Sequence, residues 1–299
     1  MNILVTGITG LLGKSLAQRL STMEGAKIYG IARTVRGEIP NVNYIYGEIQ
    51  NPRTYQQAPQ KIDICIHAAA AIPLAEDLHG QEACIATNIK GTHELVKFLV
   101  NKYSQVYLST ISTLSTLYTY KPFDDEVKTE ESAINPGTFY GLSKLYSEAI
   151  VLRSGLRASV IRLASFYDSK GEARLHQRLL YDWIDRAQNG QDLVVLGTGQ
   201  ERRNYLHVDD AVEAVFQCIE QRATGIYNIA SDQTLTTYEI AQTISDLTGG
   251  KSRIIMDSQK TVYAPISGIS IEKARRELNF QPKITLSLGF QRIIKYANG

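Results

Sequence analysis

One segment of the sequence places a phenol and an amine four residues apart, in Tyr140-Gly141-Leu142-Ser143-Lys144. Residues four apart lie on the same face of a helix, so the side chains of Tyr140 and Lys144 are predicted to point the same way. A free tyrosine has a pKa of about 10 and is a poor base at neutral pH, but a nearby ammonium stabilises the phenolate and lowers that pKa. The pair predicts acid–base chemistry on a substrate hydroxyl, in which Tyr140 moves the proton and Lys144 tunes it.

A glycine-rich turn near the start of the chain is the second candidate site. It lies between a short apolar run, residues 2–6, and a helix predicted over residues 11–23. Gly7 would permit a tight turn, Gly10 would let a pyrophosphate approach the backbone, and Gly13 would let the helix pack closely on the strand. The free N–H groups at a helix N-terminus also favour phosphate. The turn therefore predicts a dinucleotide site, formed by Gly7, Thr9, Gly10, Leu11, Leu12 and Gly13.

The elements that would position these residues alternate between strand and helix. Apolar runs predict further strands over residues 27–32, 44–47, 62–69, 105–109 and 158–163, with long helices over about 82–101 and 140–154. Buried apolar strands that alternate with helices indicate a parallel sheet covered on both faces. We expect an α/β fold: a Rossmann-type, doubly wound parallel sheet over residues 1–165. A smaller C-terminal substrate-binding lobe over residues 166–299, interleaved with the main sheet, is expected to follow.

The composition narrows the class of protein. The chain has 299 residues, 43% of them hydrophobic, and a formal net charge of +2 without a basic stripe, so no nucleic acid partner is expected. Cys65, Cys84 and Cys218 have no metal-ligand spacing and are interpreted as buried or free thiols of a reducing cytosol. The sequence has no signal-peptide pattern and no apolar run of about 18 residues. We therefore expect a cytoplasmic protein with no membrane span and no metal.

Two motifs resemble one known family. The G-x-x-G-x-x-G spacing of the turn and the string YGLSKLYSE, residues 140–148, are similar to those of the short-chain dehydrogenase/reductase superfamily. They most resemble its extended branch, the NAD-dependent epimerase/dehydratase family that modifies sugar nucleotides. Segments 197–214, 227–241 and 271–290 are similar too, so the resemblance covers nearly the whole chain. It implies an NAD(P)-dependent enzyme that moves hydride between C4 of a nicotinamide and a sugar carbinol or ketone, with Lys144 also bound to the nicotinamide ribose.

The resemblance implies a third catalytic group, a Ser or Thr at the end of the preceding strand that orients the substrate hydroxyl. In the family, a Tyr-Gly pair fixes the position of this residue, but Leu114-Ser115 replaces that pair here. The position is therefore inferred from the end of the strand, with Thr110 as the first choice and Ser112 as the second. Family dehydratases carry Asp-Glu after this residue, and some decarboxylases carry a Glu. Ile111 and Ser112 occupy these positions in this sequence, and neither side chain can replace those carboxylic acids as an acid or a base. The implied reaction is simple hydride chemistry, either epimerisation or ketone reduction.

Cofactor choice is read at the end of the second strand, where an acidic residue would bind the ribose 2′-hydroxyl of NAD. Ala32 stands at that position, and Arg33, assisted by Arg36, would pair with a 2′-phosphate, so NADP is favoured and NAD is possible. The resemblance implies that Glu48 contacts the adenine. The full set of further cofactor contacts is Glu48, Ile49, Ala68, Ala69, Ala70, Asn88 and Ser109, besides Tyr140 and Lys144.

The residues that contact the substrate are implied by weaker matches to the family. Arg203 aligns with an arginine that pairs with a nucleotide diphosphate, Ser165 replaces the Asn of the family's R-x-x-N motif, and Ile72 lies in an apolar segment, residues 71–78. The expected substrate is a nucleotide sugar, bound by Ile72, Thr110, Ser112, Ser165 and Arg203. Two alternatives stay open: an NADPH-dependent reductase of a non-nucleotide carbonyl compound, and a regulator that binds NADP without turnover. The resemblance also implies a homodimer that pairs through the two long helices as a four-helix bundle.

Overall fold

The computed structural model describes residues 1–35, 37–114, 127–259 and 268–297, so Arg36 and Ser115 lie outside the described residues. The strands are β1 Asn2–Thr6, β2 Lys27–Ala32, β3 Val42–Tyr46, β4 Ile64–His67, β5 Tyr107–Thr113, β6 Val127–Lys128, β7 Arg157–Leu163, β8 Ser165–Tyr167, β9 Leu193–Leu196, β10 Arg202–His207, β11 Gly225–Ile229, β12 Thr234–Thr236, β13 Ile254–Asp257 and β14 Gly268–Ile269. The helices are α1 Leu11–Leu20, α2 Leu78–Cys84, α3 Thr92–Lys102, α4 Phe139–Leu152, α5 Arg178–Gln188, α6 Val208–Glu220, α7 Thr237–Leu247, α8 Glu272–Leu278 and α9 Leu286–Ala297. A 3₁₀ helix spans Pro52–Gln57, and a π-helical segment, Ile85–Gly91, joins α2 to α3.

Seven parallel strands form the central sheet, in the order β11-β7-β5-β4-β1-β2-β3. The order reverses direction at β1, and ligands of such sheets bind at the carboxyl ends of the strands beside this switch point. The predicted α/β, Rossmann-type fold is confirmed. β11 joins this sheet although it follows residue 166, whereas β8, β10 and β12 form a separate three-stranded sheet. The division of the chain at residue 165 stays a prediction.

Alternation along the strands gives the sheet two apolar faces, as the period of two requires. In β1, Ile3 and Val5 pack in one core cluster with α1 and α6, whereas Leu4 packs in the other with α3. A third cluster lies among α5, α7 and α9 and includes Trp183 and Phe290. Both faces of the central sheet are therefore covered, and its carboxyl edge holds the glycine turn.

Exposed apolar side chains remain on the outer surface of α3 and α4. Val100, Leu142, Tyr146 and Leu152 are exposed there. A groove of about 610 Å³ between the two helices includes Val100 and Tyr146 in its lining. This is the surface on which the sequence analysis predicts the homodimer contact, which stays a prediction. In the described ranges, no helix has both the length and the apolar character to span a bilayer.

A buried histidine ties the central sheet to the helices that carry the site. His67 ends β4, is fully buried, and its ring nitrogens lie 2.7 Å from the Thr6 hydroxyl and 2.8 Å from the Thr92 hydroxyl. Burial first, and then the nearby Lys144 ammonium, lowers the pKa of His67 to about 3. The ring is therefore neutral and links β1, β4 and α3 through hydrogen bonds, so His67 acts as a structural residue.

Replacing His67 with glutamine is expected to remove a pH-dependent loss of stability. The unfolded chain protonates this histidine below pH of about 6.5, whereas the folded protein keeps it neutral, so the unfolded state binds more protons. The contribution of His67 to the free energy of unfolding is complete above that pH and falls as the pH drops toward 3. Between pH 7 and pH 5 the native protein should lose about 2 kcal/mol through this residue.

Urea unfolding at the two pH values measures this loss. His67→Gln should lose about 2 kcal/mol less than the native protein over the same interval. His79→Gln changes an exposed histidine on α2 and should behave like the native protein. Equal losses in the native protein and His67→Gln would contradict the linkage.

Candidate active site

The glycine turn has the shape that the sequence predicts for a phosphate cradle. Gly7 has a positive φ of 73°, and a Cβ there would lie 2.6 Å from the Ala69 nitrogen. A Cβ on Gly13 would lie 2.1 Å from the Gly7 oxygen, so only glycine lets α1 approach β1 this closely. A Cβ on Gly10 would meet only the Gly7 oxygen, at 3.4 Å, which leaves the mouth of the turn open.

The start of α1 suits an anion. Gly10 is its N-cap and supplies no side-chain cap, and no acidic residue lies in the first turn. The first N–H groups of a helix have no partner within it, so those of Leu11, Leu12 and Gly13 are left for a ligand. Thr9 is exposed at the tip of the turn. These residues fit the pyrophosphate of a dinucleotide.

The end of β2 carries no acid. Ala32 is buried, and its carbonyl accepts a hydrogen bond from the Gly47 N–H at 3.0 Å. Arg33, which follows, is exposed. Glu48 is also exposed and accepts a hydrogen bond from the Gln50 side chain at 3.0 Å. Ribose and adenine groups at this edge would therefore meet an arginine and a glutamate within reach of solvent.

Of the predicted cofactor residues that follow β3 and β4, Ala68 and Ala69 border the turn and Ile49 does not. Ala68 and Ala69 donate backbone hydrogen bonds to the Thr6 carbonyl and hydroxyl, both at 3.2 Å, and so border Gly7. Ala70 follows them and is exposed. Ile49 is buried against Gly91, where a Cβ would lie 2.5 Å from its Cδ1. Its side chain therefore packs the core rather than the cofactor cleft.

Asn88 holds the chain that leaves β4 against α4. It is fully buried in the π-helical segment, and its Oδ1 accepts from the Ala71 N–H at 2.8 Å. Its Nδ2 donates to the Ala71 carbonyl at 3.0 Å and to the Ser143 hydroxyl at 2.9 Å. Single π-helical turns inside α-helices are frequent at functional sites, because they redirect side chains. Asn88 therefore fixes the backbone around the site, and its predicted contact with the cofactor stays a prediction.

Helix α4 begins at a well-fixed point and carries Tyr140 in its first turn. Thr138 is the N-cap and accepts from the Gly141 N–H at 3.0 Å, while Glu76 accepts from the Phe139 N–H at 2.9 Å. Lys144 follows one turn later and is only 2% exposed, whereas Tyr140 is partly exposed. The two side chains therefore lie on one face of α4, with the lysine deeper.

Burial dominates the titration of this pair. It raises the pKa of Tyr140, and the thiol of Cys84 adds to the rise. Burial also lowers the pKa of Lys144 to about 8, although the Glu148 carboxylate and then Cys84 oppose the fall. The pKa of Tyr140 moves in the opposite direction to the one predicted from the Tyr/Lys spacing, because burial disfavours the charged phenolate.

Cys84 is a member of the site that the sequence analysis missed. It ends α2, is fully buried, and its Sγ lies 3.8 Å from the Ala71 carbonyl. Burial raises the pKa of this thiol, so it stays neutral beside Tyr140 and Lys144. Its position four residues before Asn88, within the helix predicted over about residues 82–101, was the available sequence signal.

Two hydroxyls on β5 lie at the site without partners. The hydroxyls of Thr110 and Ser112 are buried and make no hydrogen bond with any residue that the structure describes. Side chains two apart share a face of a strand, and Thr110 pairs in register with His67, whose ring lies beside Lys144. An unpartnered buried hydroxyl costs about 1–3 kcal/mol, which a hydrogen-bonding ligand would offset.

Ser109 has the opposite orientation from its neighbour. Its hydroxyl accepts a hydrogen bond from Ser159 at 3.1 Å, and Ser159 also accepts from the Tyr107 hydroxyl at 2.8 Å. Tyr107 packs in the core cluster on the α6 face of the sheet. The structure therefore does not bring the Ser109 side chain together with Thr110, although the sequence analysis includes it among the cofactor contacts.

The predicted substrate contacts lie on separate elements. Ile72, which is 43% exposed, follows β4 in a segment that also exposes Leu74 and Leu78. Ser165 and Arg203 are half-buried in β8 and β10, which pair in parallel, and no described residue forms an ion pair with Arg203. Asn204, the next residue on β10, donates to the Ser231 carbonyl at 2.8 Å.

Known proteins are similar to this chain over most of its length. The sequence matches the NAD dependent epimerase/dehydratase family over residues 3–230. It is 23% identical to a UDP-N-acetyl-alpha-D-glucosaminuronate decarboxylase of Bacillus cytotoxicus, over 98% of this chain and 96% of the relative.

Solved structures share the fold over the whole chain. A UDP-glucose 4-epimerase of Thermotoga maritima with UDP-glucose is 20% identical, with a TM-score of 0.84 over 100% of this chain and 99% of that one. A dTDP-glucose 4,6-dehydratase of Bacillus anthracis in complex with NAD is 26% identical, with a TM-score of 0.79 over 100% and 96%. The resemblance of the sequence to this family is thus confirmed, and the chain belongs to the NAD-dependent epimerase/dehydratase family of enzymes.

Proposed function

We propose that this chain is a sugar-nucleotide epimerase or 4-ketoreductase that acts by hydride transfer. The proposal rests on the placement of Tyr140 and Lys144 on one face of α4, a helix that packs against β5, where the Thr110 hydroxyl is buried without a partner. The glycine turn at the same edge of the sheet is suited to a dinucleotide. A proton-transferring pair, a hydroxyl donor and a dinucleotide cradle are the parts that alcohol oxidation and ketone reduction require.

Each of these residues has a role in the proposed reaction. The nicotinamide, when bound, supplies the acceptor or donor of hydride. Thr110 orients the substrate oxygen, and Tyr140 gives it a proton in the reduction direction or removes one in the oxidation direction. Because burial raises the pKa of Tyr140, its resting form at neutral pH is the protonated acid. Lys144 keeps a positive charge below the phenol and would hold the nicotinamide ribose.

The residues after Thr110 favour hydride chemistry without elimination. Ile111 and Ser112 follow it on β5, and neither can act as the extra acid or base that removal of water or carboxylate needs. The known relatives include a decarboxylase and a dehydratase, so membership of the family does not select the reaction. The choice rests on these two side chains.

A second candidate is an NADPH-dependent reductase of a non-nucleotide carbonyl compound. It is favoured by the apolar segment after β4, where Ile72, Leu74 and Leu78 are exposed. Such a wall suits an apolar substrate better than a sugar. A regulator without turnover is less well supported, because Tyr140 and Lys144 are both present.

The cofactor is proposed from two opposed observations. The family is NAD-dependent by description, and the dehydratase of Bacillus anthracis was solved with NAD. In this chain, however, β2 ends in Ala32 and is followed by the exposed Arg33, which suits the 2′-phosphate of NADP. We propose that the protein binds either cofactor and that Arg33 shifts its preference toward NADP.

Tyr140→Phe tests the proposed acid–base role. We expect kcat to fall by about 10²–10⁴, because the phenol proton is lost. Cofactor affinity should hold, because the ring remains. The assay follows NAD(P)H absorbance or epimer formation with a UDP-sugar and a dTDP-sugar. Tyr146→Phe, at an exposed tyrosine of the same helix, is the matched control and should retain activity. An active Tyr140→Phe would refute the mechanism.

Arg33→Ser tests the cofactor preference. If Arg33 pairs with the 2′-phosphate, the native protein should prefer NADPH to NADH by about tenfold or more, which corresponds to about 1.4 kcal/mol. The variant should lose that preference and keep its NADH affinity. Fluorescence titration of the protein, stripped of any co-purified nucleotide, measures both constants. Co-purified, stoichiometric NAD would favour a self-recycling epimerase and would count against a role of Arg33 in recognition.

Competition by nucleotide diphosphates separates the two substrate classes. UDP or dTDP should inhibit a sugar-nucleotide enzyme, because Arg203 would bind the diphosphate. Arg203→Gln should weaken that inhibition by about tenfold or more, since a charge-assisted hydrogen bond is worth about 1.5–3 kcal/mol. Arg202→Gln, at the exposed neighbour, is the control. Failure of both nucleotides to inhibit the native enzyme would favour the non-nucleotide reductase.

A further inference from the structure

A buried ion pair lies directly beyond Lys144 and takes no part in the proposed proton transfer. It joins Glu148 of α4 to Arg162 of β7, and the two side chains are 2% and 1% exposed. Removing two charges from water costs several kcal/mol each, and apolar residues of similar volume often stabilise a fold equally well. A pair kept at this depth therefore calls for a role beyond stability.

The geometry fixes the carboxylate in one orientation. The Arg162 Nε donates to the two Glu148 oxygens at 3.1 and 3.3 Å, and Nη2 donates to Oε2 at 2.7 Å. A planar guanidinium that engages both oxygens leaves the carboxylate no free rotation. Glu148 follows Lys144 by one turn of α4 and so lies on the same face, about 6 Å further along the helix axis.

The other titratable groups around Lys144 give its ammonium little support. The thiol of Cys84, from α2, stays neutral because burial raises its pKa. The imidazole of His67, from β4, stays neutral because its pKa is lowered to about 3. The phenol of Tyr140, on α4 itself, stays protonated because its pKa is raised. The Glu148 carboxylate is the first cause that opposes the effect of burial on the lysine, and Arg162 is not among the causes.

We infer that the Glu148–Arg162 pair is a positioning element for Lys144, in which a fixed carboxylate keeps the buried lysine protonated at neutral pH. The pair has its negative end toward Lys144, and Arg162 acts by holding that end in place. Neither residue touches the reacting atoms. The inference rests on the proposed function in one respect, namely that the charge of Lys144 matters for turnover.

The test measures the protonation of Lys144 directly in the full-length protein. Lysine side chains are labelled with ¹³C at Cε, and the Lys144 signal is identified by its loss in Lys144→Met. An NMR titration then gives the midpoint for the native protein, Glu148→Gln and Glu148→Asp. We expect Glu148→Gln to lower the midpoint by about one pH unit or more, because an opposite charge at this range shifts a pKa by about 1–3 units. Glu148→Asp disturbs the packing but keeps the charge, so its midpoint should stay close to that of the native protein.

Glu148→Gln leaves the buried charge of Arg162 without its carboxylate, and the protein could unfold for that reason alone. A double variant controls for this effect. Glu148→Gln/Arg162→Met removes both charges at similar volume and should also lower the midpoint. Thermal melting reports the structural effect of each variant separately. Where turnover is measurable, the alkaline limb of the kcat profile should move to lower pH in Glu148→Gln and not in Glu148→Asp.

The outcomes distinguish this inference from the proposed function. An unchanged Lys144 midpoint in Glu148→Gln and in the double variant, or equal shifts in the Gln and Asp variants, would overturn the role of the pair. A shifted midpoint together with an active Tyr140→Phe enzyme would leave the role of the pair intact and reject the proposed reaction.

Discussion

The polar groups sealed between the central sheet and α4 are the constraint on which the rest of the structure depends. A buried donor or acceptor without a partner costs about 1–3 kcal/mol, so the partners decide where the elements lie. His67 joins β1 and β4 to α3, and Asn88 joins the chain that leaves β4 to α4. The helix that carries Tyr140 cannot slide along the sheet without breaking these bonds. The same contacts that seal the fold therefore set the height of the phenol above the strand ends.

Two exceptions to this pairing lie at the candidate site. Among the described residues, the hydroxyls of Thr110 and Ser112 are left without partners, on the face of β5 where His67 and Lys144 meet. On the opposite face, Ser109 is satisfied by Ser159. One strand thus presents a closed polar network to one side and open hydrogen-bonding capacity to the other. A rigid sheet edge with unused donors is how a fold can hold a substrate oxygen without a flexible loop.

Much of the fold and part of the site could be predicted from the sequence, because they depend on local spacing. The glycine turn needs a positive φ at Gly7 and no Cβ at Gly13, and the presence of glycine at both positions predicts both features. The four-residue spacing of Tyr140 and Lys144 likewise fixes a shared helix face. Contacts between segments that lie far apart in the sequence were harder to predict. The placement of Cys84 beside Tyr140 depends on how α2 and its π-helical extension pack against α4. The spacing of Cys84 and Asn88 indicates a shared helix face but not that packing. The orientation of Ser109 depends on the register of β5, which its own residues leave open to a shift by one.

The direction of the Tyr140 pKa shows why a motif alone is an incomplete account of chemistry. The spacing predicts a phenol made more acidic by its lysine, yet burial acts on both groups and favours the neutral form of each. The partial burial of the tyrosine and the deep burial of the lysine therefore favour a protonated phenol and a neutral amine. The resting phenol is then ready to donate a proton, which suits reduction of a ketone. Oxidation of an alcohol needs a phenolate, and a phenolate at this depth requires positive charge close by. Whatever keeps the lysine charged thus decides whether the site can work in both directions, and an epimerase must work in both.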